Sequence, residues 1–218
     1  MRAMVLTKNS PIETCPLTLE ERSIPIPQKG EVLIRIETCG ICRTDLHIVE
    51  GDIPFQGKEM IPGHQIIGRV EKMGNSSGLF EKGDRVGVGW LYSTCGSCEF
   101  CFSKRENLCV KSEHTGYTRF GGFSEFCLAK EEFIYPLSKD IDPVSFAPLL
   151  CAGIIGFRAL KLSHLPLGGE TLGLFGFGSS AHLAIQIATQ ALNKKVFVST
   201  RGKERRDLAR DLGANWVG

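Results

Sequence analysis

Residues 171–199 read TLGLFGFGSSAHLAIQIATQALNKKVFVS, and this stretch decides the fold of the C-terminal part of the chain. "TLGLFGF" is a short continuous apolar run, the pattern of a parallel strand buried on both faces. "SSAHLAIQIATQALN" has helical spacing, with Leu183, Ile187 and Ala191 on one face. "KKVFVST" predicts a second buried strand. At the first strand–helix turn, Gly176, Gly178 and Ala181 fit G-x-G-x-x-A. The first glycine permits a tight turn, the second lets a pyrophosphate approach the backbone, and the small third residue lets helix and strand pack closely. Ser179 and Ser180 open the helix, whose free N–H groups suit phosphates. Small residues also suit any tight strand–helix turn; the β-α-β context favours dinucleotide binding.

Downstream, "KERRDLARDLG" (203–213) reads as a helix ended by Gly213, and "ANWVG" (214–218) starts a third strand. The second strand ends on Ser199, Thr200 and Arg201, with Lys203 close behind. NAD-specific folds of this kind usually carry Asp or Glu there, bonded to the ribose 2′-OH. Here no carboxylate repels a 2′-phosphate, and Arg201 suits one. Thr200 and Arg201 are therefore read as cofactor-binding residues, favouring NADP(H) over NAD(H). The plainer alternative is a solvated basic helix start.

Upstream, "GIIGFRALKLS" (153–163) is apolar at helical spacing. Before about residue 150 the pattern changes to short β-like segments between Gly and Pro turns. "EVLIRIETC" (31–39) places Val32, Ile34 and Ile36 on one face at period two. "HQIIGRVEKM" (64–73), "GDRVGVGW" (83–90) and "GGFSEFCLA" (121–129) read as further strands. The expectation is an α+β chain of two domains, an antiparallel barrel-like β domain over 1–152 and an α/β domain over 153–218.

Within the β domain, "WLYSTCGSCEFCFSKRENLC" (90–109) carries Cys95, Cys98, Cys101 and Cys109 as C-x2-C-x2-C-x7-C. Four thiolates at this spacing can close a tetrahedral shell around one Zn²⁺, and a closed shell is structural. Three alternatives stand beside it. Disulfides need an oxidising compartment. Iron–sulfur runs that open on C-x2-C-x2-C continue with x3 and a proline, absent here. A nucleic-acid zinc ribbon needs clustered basic residues, but Glu99 and Glu106 offset Lys104 and Arg105.

Composition sets outer bounds. The 218 residues are 42% hydrophobic and 23% charged, with a net charge of +2. That is ordinary for a soluble globular protein and gives no reason to expect nucleic acid as a partner. The first ten residues lack a signal-peptide core, and no apolar run approaches the roughly 20 residues of a membrane span. Nine cysteines without such a signal suggest a reducing cytoplasm.

Three residues remain: Cys42 in "CGICRTDLH", His64 in "IPGHQIIGRVEKMG" and Cys151 in "APLLCAG". Singly, each has a bland reading as a small buried residue or a turn histidine. Together with the quartet and the glycine turn, in this order, they resemble the zinc-dependent alcohol dehydrogenases of the medium-chain dehydrogenase/reductase family, over essentially the whole chain. The resemblance implies a GroES-like β barrel domain followed by a partial Rossmann domain. It implies two Zn²⁺ per chain, the catalytic one held by Cys42, His64 and Cys151 with an open fourth position. It implies hydride transfer between a small alcohol or aldehyde and a nicotinamide cofactor. Thr44 would accept the alcohol proton, with His47 at the outer end of the relay. Arg43 would pair with the cofactor pyrophosphate, and Asp45 would orient His64. The plain reading of Thr44 and Asp45 is a helix start. Trp90 is read equally as a substrate-pocket or a core residue.

Two departures stand out. The family motif usually reads Gly-His-Glu, and Gln65 replaces the glutamate. The chain also ends at the third Rossmann strand, where relatives continue. A zinc-binding remnant that needs a missing half is thus the alternative to an active enzyme. The expected partner is a homo-oligomer or a separately encoded C-terminal half, and "TLGLFGF" is expected to become an exposed edge. Cys15, Cys39 and Cys127 are expected as small core residues.

Overall fold

The computed structural model describes residues 1–55, 57–75, 78–163 and 168–218. It divides into two compact units, Met1–Leu150 and Cys151–Gly218. The division lies two residues ahead of the boundary read from the sequence, because Cys151 already caps the helix that opens the second unit.

In the first unit, β1 (Arg2–Leu6) pairs antiparallel with β2 (Leu17–Glu21). Next come β3 (Glu31–Gly40), α1 (Arg43–Glu50), β4 (Gln65–Met73) and β5 (Arg85–Val88). The metal-type loop runs through β6 (Leu91–Ser93), α2 (Glu99–Phe102) and β7 (Glu113–His114). The unit closes with β8 (Phe126–Lys130), β9 (Ile134–Pro136) and α3 (Pro143–Phe146). The main sheet has the order β8-β3-β4-β5-β9, antiparallel throughout. Irregular register at Leu33/Ile34 and Ile36/Thr38 bends β3 against β4, the local kink and added twist that an extra residue forces on a strand. Val32 and Ile34 are fully buried with Ile66, Val70, Val86 and Val88, and Ile36 packs beside them half-buried. The period-two reading of β3 thus points at a real core. The result is a curled antiparallel sheet around one core.

Cys127 lies in that core and Cys39 packs against it. Cys15 departs from expectation: it is exposed and left-handed, with φ of 52°, where it ends a short 3₁₀ turn. A thiol is a weak hydrogen-bond former, so nothing penalises it at that surface position.

In the second unit, α4 (Ala152–Leu162), β10 (Thr171–Phe175), α5 (Ser179–Gln186), β11 (Lys195–Ser199), α6 (Lys203–Asp211) and β12 (Trp216–Val217) alternate. The strands form a parallel sheet in the order β10-β11-β12. Two expectations are corrected here. Neither β10 nor β11 is buried on both faces. Leu172, Leu174, Val196 and Val198 pack with Leu160, Ile185 and Ala209 of the helices, while Phe175 is 92% exposed and Phe197 41%. The described helices pack against one face only, so burial alternates. β10 is an edge strand, as expected. The buried face of α5 is Ala184, Ile185 and Ala188 rather than Leu183, Ile187 and Ala191. The helix widens to a π turn over Ile187–Ala191, which rotates later residues off a 3.6-residue register, and the alanines let it approach the strands closely. Gly213, with φ of 91°, follows the end of α6. Among the described residues, no single helix is long and apolar enough to cross a membrane.

Glu31 fixes the start of β3 in the first unit. Its buried carboxylate accepts from the Gln28 N–H (3.0 Å) and the Tyr92 hydroxyl (3.0 Å), and pairs with Lys130 Nζ (3.1 Å). Burial alone would raise its pKa, but those three donors together hold it below the usual carboxylate value. A depressed folded-state pKa gives stability that is complete above the unfolded value and lost as pH falls through the folded one. Glu31→Gln is expected to destabilise the first unit by about 1–3 kcal/mol at neutral pH. Urea unfolding from pH 7 downward should show the gap between wild type and variant closing below roughly pH 4. A gap independent of pH would contradict the account.

Candidate metal centres

The loop from β6 to β7 brings the cysteine quartet together. Cys98 is the N-cap of α2, and Cys101 lies in its single turn. Gly96, with φ of 66°, reverses the chain between Cys95 and Cys98. The sulfur of Cys98 lies 3.5 Å from that of Cys101, Cys95 lies 3.6 Å from Cys109, and Cys95 lies 3.9 Å from Cys101. Metal–sulfur bonds of about 2.3 Å in a tetrahedron place sulfurs about 3.8 Å apart. The observed spacings fit one enclosed ion. They are far beyond the roughly 2.05 Å of a disulfide, and all nine cysteines are free thiols. The Ser97 backbone N–H and hydroxyl, which hydrogen-bond the Cys95 sulfur, bring its pKa down to about 6, favouring the thiolate that ligates a metal. Among the four sulfurs, Cys101 is also lowered, and Cys98 is raised.

The second centre is organised by one carboxylate. Cys42 is the N-cap of α1, and Asp45 lies three residues into the helix. Asp45 Oδ2 accepts the Cys42 N–H at 2.8 Å. Its Oδ1 accepts the Gly63 N–H at 3.1 Å and lies 3.1 Å from His64 Nδ1. Asp45 and His64 are 2% and 1% exposed. The same Asp45 side chain thus caps the start of α1 and lies within hydrogen-bonding distance of the His64 ring. A proton on Nδ1 facing Asp45 leaves His64 Nε2 free for a metal. Without an ion, burial disfavours a charged His64 ring, but contacts with Asp45 and Cys42 outweigh it and raise the pKa to about 9.

His64 is delivered by a crowded turn. Gly63 takes φ of 97°, and a Cβ there would strike Phe123 and Cys39. The Gly121 and Gly122 N–H groups bond the carbonyls of Ile61 and Gly63 at 2.6 and 2.8 Å. The third ligand-type residue, Cys151, follows directly on Leu150, whose side chain is buried against Ile67 and Ala147.

The remaining sequence-read residues fall as follows. Thr44 Oγ1 lies 3.7 Å from the Cys42 sulfur. Arg43 opens α1 and is exposed. His47, later on α1, pairs with Asp52 at 2.7 Å. Gln65 starts β4 and is buried, and its Oε1 has no partner among the described residues. In the second unit, Gly176 has φ of 87° and its N–H bonds the Ser199 carbonyl at 2.8 Å. Gly178 caps α5 ahead of Ser179 and Ser180, and a Cβ on it would meet open space. Ala181 packs half-buried beneath the turn. Thr200 is buried with its carbonyl bonded to Arg206 Nε at 3.1 Å, and Arg201 is exposed.

Sequence reading missed two features. Asp52 carried no signal beyond being a carboxylate just past a glycine. The Trp90 cluster is also new: Trp90 meets His64 edge-on at 5.1 Å and lies 5.9 Å from Tyr117 and 4.9 Å from His114. Aromatic residues scattered over 90–117 show no common periodicity from which that contact could be foreseen.

The curled sheet and its paired metal-type centres define a class of fold, the GroES-like domain of medium-chain dehydrogenases. Residues 28–139 match the alcohol dehydrogenase GroES-like domain family. The chain belongs to that family. It is 43% identical over 219 residues to a probable alcohol dehydrogenase, AdhA, of Mycobacterium tuberculosis, covering 98% of this chain and 63% of that protein. It is 40% identical over 200 residues to an alcohol dehydrogenase of Geobacillus stearothermophilus, covering 91% and 58%. The chain thus spans about 60% of the length of these curated relatives. Among solved structures, a cinnamyl alcohol dehydrogenase of Sorghum bicolor is similar at 29% identity and a TM-score of 0.87, covering 99% of this chain and 63% of that one. A putative zinc-binding dehydrogenase of Sinorhizobium meliloti bound to NADP is similar at 29% identity and a TM-score of 0.85, covering 100% and 61%.

Asp45→Asn is expected to weaken metal binding at the Cys42–His64 centre by about 10–100-fold. Competition against a chromophoric chelator should show one weakened ion, with the quartet's affinity unchanged as internal control. Equal loss from both centres would indicate general unfolding instead.

Proposed function

We propose that this chain is the zinc-binding and cofactor-phosphate-binding part of an alcohol dehydrogenase that works on small alcohols or aldehydes with NADP(H). The observation that carries the reading is that one buried carboxylate, Asp45, holds both the Cys42 backbone and the His64 ring; membership in the family adds Cys151 as the third ligand. Two thiolates and an imidazole suit Zn²⁺ and leave one position open, the pattern of a catalytic site, while the quartet is closed. Zinc held there would supply Lewis acidity, drawing electron density from an alcohol or carbonyl oxygen.

The chain's own residues do the rest. Asp45 holds the His64 ring in one tautomer and ties Cys42 to the same carboxylate. Thr44, beside Cys42, would take the alcohol proton, with His47 at the outer end of the relay. Gly176 and Gly178 leave the backbone bare for a pyrophosphate, and Arg43 adds positive charge. Ser179, Ser180 and Ala181 open α5, whose first N–H groups face the phosphates. The absence of a carboxylate at Ser199–Arg201 supports NADP(H); similar structures are described with NADP from S. meliloti and Helicobacter pylori and with NADH from E. coli, and do not choose between the two. A nicotinamide cofactor held by these residues would supply the acceptor, or in reverse the donor, of the hydride at the alcohol carbon. Nine free thiols favour a reducing cytoplasm, and the near-neutral charge supports neither a nucleic-acid nor a membrane partner. A homo-oligomer or a separate C-terminal half would complete the sheet at β10.

The test is metal analysis together with NADPH oxidation by the purified chain on short and aromatic aldehydes, with and without a zinc chelator. Two zincs per chain and chelator-sensitive turnover are expected. Zinc at the quartet alone, with no turnover, would overturn the enzymatic reading in favour of a zinc-binding remnant.

A further inference from the structure

The cysteine quartet lies in the loop between β6 and β7, which pair antiparallel with Leu91 opposite His114. Both strands of this hairpin run back to the His64 turn. On one side, the Trp90 carbonyl accepts the Thr115 N–H at 2.9 Å, and the Trp90 ring meets His64 edge-on at 5.1 Å. On the other, β7 leads into a closed turn. The His114 carbonyl accepts the N–H groups of Thr118 and Arg119, each at 3.0 Å. The Arg119 carbonyl accepts the Gly116 N–H at 2.8 Å, and Thr118 Oγ1 accepts the His114 N–H at 2.7 Å. The turn presents Gly116, buried and with φ of 76°, to Gly63. A Cβ on Gly116 would lie 2.9 Å from both the nitrogen and the oxygen of Gly63. Those are backbone atoms, which cannot swing aside as the end of a flexible side chain can.

We propose that Gly116 is a positioning residue, the contact through which the hairpin that carries the quartet holds His64 in place. The proposal rests on reading His64 as a metal ligand oriented by Asp45. The Gly63 N–H donates to Asp45 Oδ1 at 3.1 Å, the same oxygen that lies 3.1 Å from His64 Nδ1. Pushing the Gly63 nitrogen therefore disturbs the carboxylate behind the ring. The turn has little room to give. The N–H groups of Gly121, Phe123 and Gly122 bond the carbonyls of Ile61, Pro62 and Gly63 at 2.6, 3.0 and 2.8 Å. The space around Gly63 is filled as well, with Phe123 and Cys39 lying 2.6 and 2.9 Å from where its own Cβ would stand. Close-packed surroundings transmit a displacement rather than absorb it. A methyl group at position 116 therefore moves Gly63, and with it the His64 ring against Asp45. A residue without a side chain lets the hairpin seat on Gly63 and leaves Asp45 Oδ1 both of its donors.

The test uses the full chain, nitrogen-15 labelled and metal-free, and reads the His64 Nδ1–H proton in wild type, Gly116→Ala, Gly30→Ala and Thr118→Val. Gly30 is the control for backbone strain: it takes φ of 72° in the same unit, but a Cβ there meets nothing within 4 Å. Thr118 is exposed, and valine there removes the acceptor that closes the turn. In wild type the proton should exchange slowly, since ring and carboxylate are both buried. Gly116→Ala should move the signal upfield and speed its exchange by about 2- to 10-fold, the range for one weakened hydrogen bond. Thr118→Val should shift it the same way by less, and Gly30→Ala should leave it as in wild type. Cadmium-113 spectra after loading with Cd²⁺ give a second readout. Gly116→Ala should weaken the Cys42–His64 centre by about 10-fold and leave the quartet's signal and affinity unchanged. An unchanged His64 signal in Gly116→Ala, or the same change in Gly30→Ala, would overturn the proposal. Should Gly116→Ala fail to fold, an unchanged signal in Thr118→Val does so. Cadmium at the quartet alone in wild type would sink the metal reading of His64, while the metal-free signal still decides the role of Gly116.

Discussion

The candidate site of the first unit depends on a single buried carboxylate. Asp45 accepts from the backbone of Cys42, the backbone of Gly63 and the ring of His64. Those partners come from a helix start and from a turn about twenty residues later in the chain. A charge this deeply buried is costly unless its lone pairs are filled. The requirement therefore runs in both directions: the carboxylate needs these donors, and the donors take their positions from it. Cys42 and His64 are thereby held in mutual register by the protein itself. That register is the preorganisation that metal sites draw on.

The quartet solves a different problem. Its four sulfurs all lie within one loop, so no distant element has to be brought in. Its order comes from a short helical turn, a left-handed glycine and N–H···S contacts such as Cys95 N–H to the Cys109 sulfur at 3.5 Å. The loop has little apolar core of its own, and Phe102 and Val110 are 75% and 84% exposed. A bound ion would therefore act as this segment's core. The two centres divide labour by architecture: one is local and closed, the other non-local and open.

Much of this was legible in the sequence, for identifiable reasons. Period two in 31–36 and the bare glycines at 176 and 178 are direct imprints of backbone geometry, and thiol spacing in 95–109 is nearly a drawing of the loop. What failed was anything that depended on neighbours. The apolar run 171–175 says only that the strand can be buried, while burial depends on which faces other elements cover. The face of α5 shifted because Ala184, Ile185 and Ala188 share the face that the strands and neighbouring helices cover, while Leu183 stays half-buried and Ala191 exposed, and the residue types alone do not say which apolar face is covered. Asp52 and the Trp90 cluster were invisible because a side-chain contact across a turn or between loops leaves no periodicity. Cys15 was misplaced for a related reason: a small apolar-like residue is permitted in a core without being required there.

Gln65 shows how far charge arithmetic can be carried. With a divalent ion in the proposed site, two thiolates would cancel its charge, and Asp45 would leave the cluster at about −1. A glutamate at position 65 would add a second negative charge next to His64. The amide adds none, and its Oε1 sits buried without a partner, against Gly40, where no side chain competes for the space. An unfilled acceptor costs about 1–3 kcal/mol, less than the cost of an unpaired buried carboxylate. The neutral residue thus spares the site a charge that would oppose negative charge developing on a substrate oxygen. It also keeps a buried oxygen without a hydrogen-bond partner among the described residues. The departure from Gly-His-Glu is therefore compatible with the metal site that the rest of the chain builds.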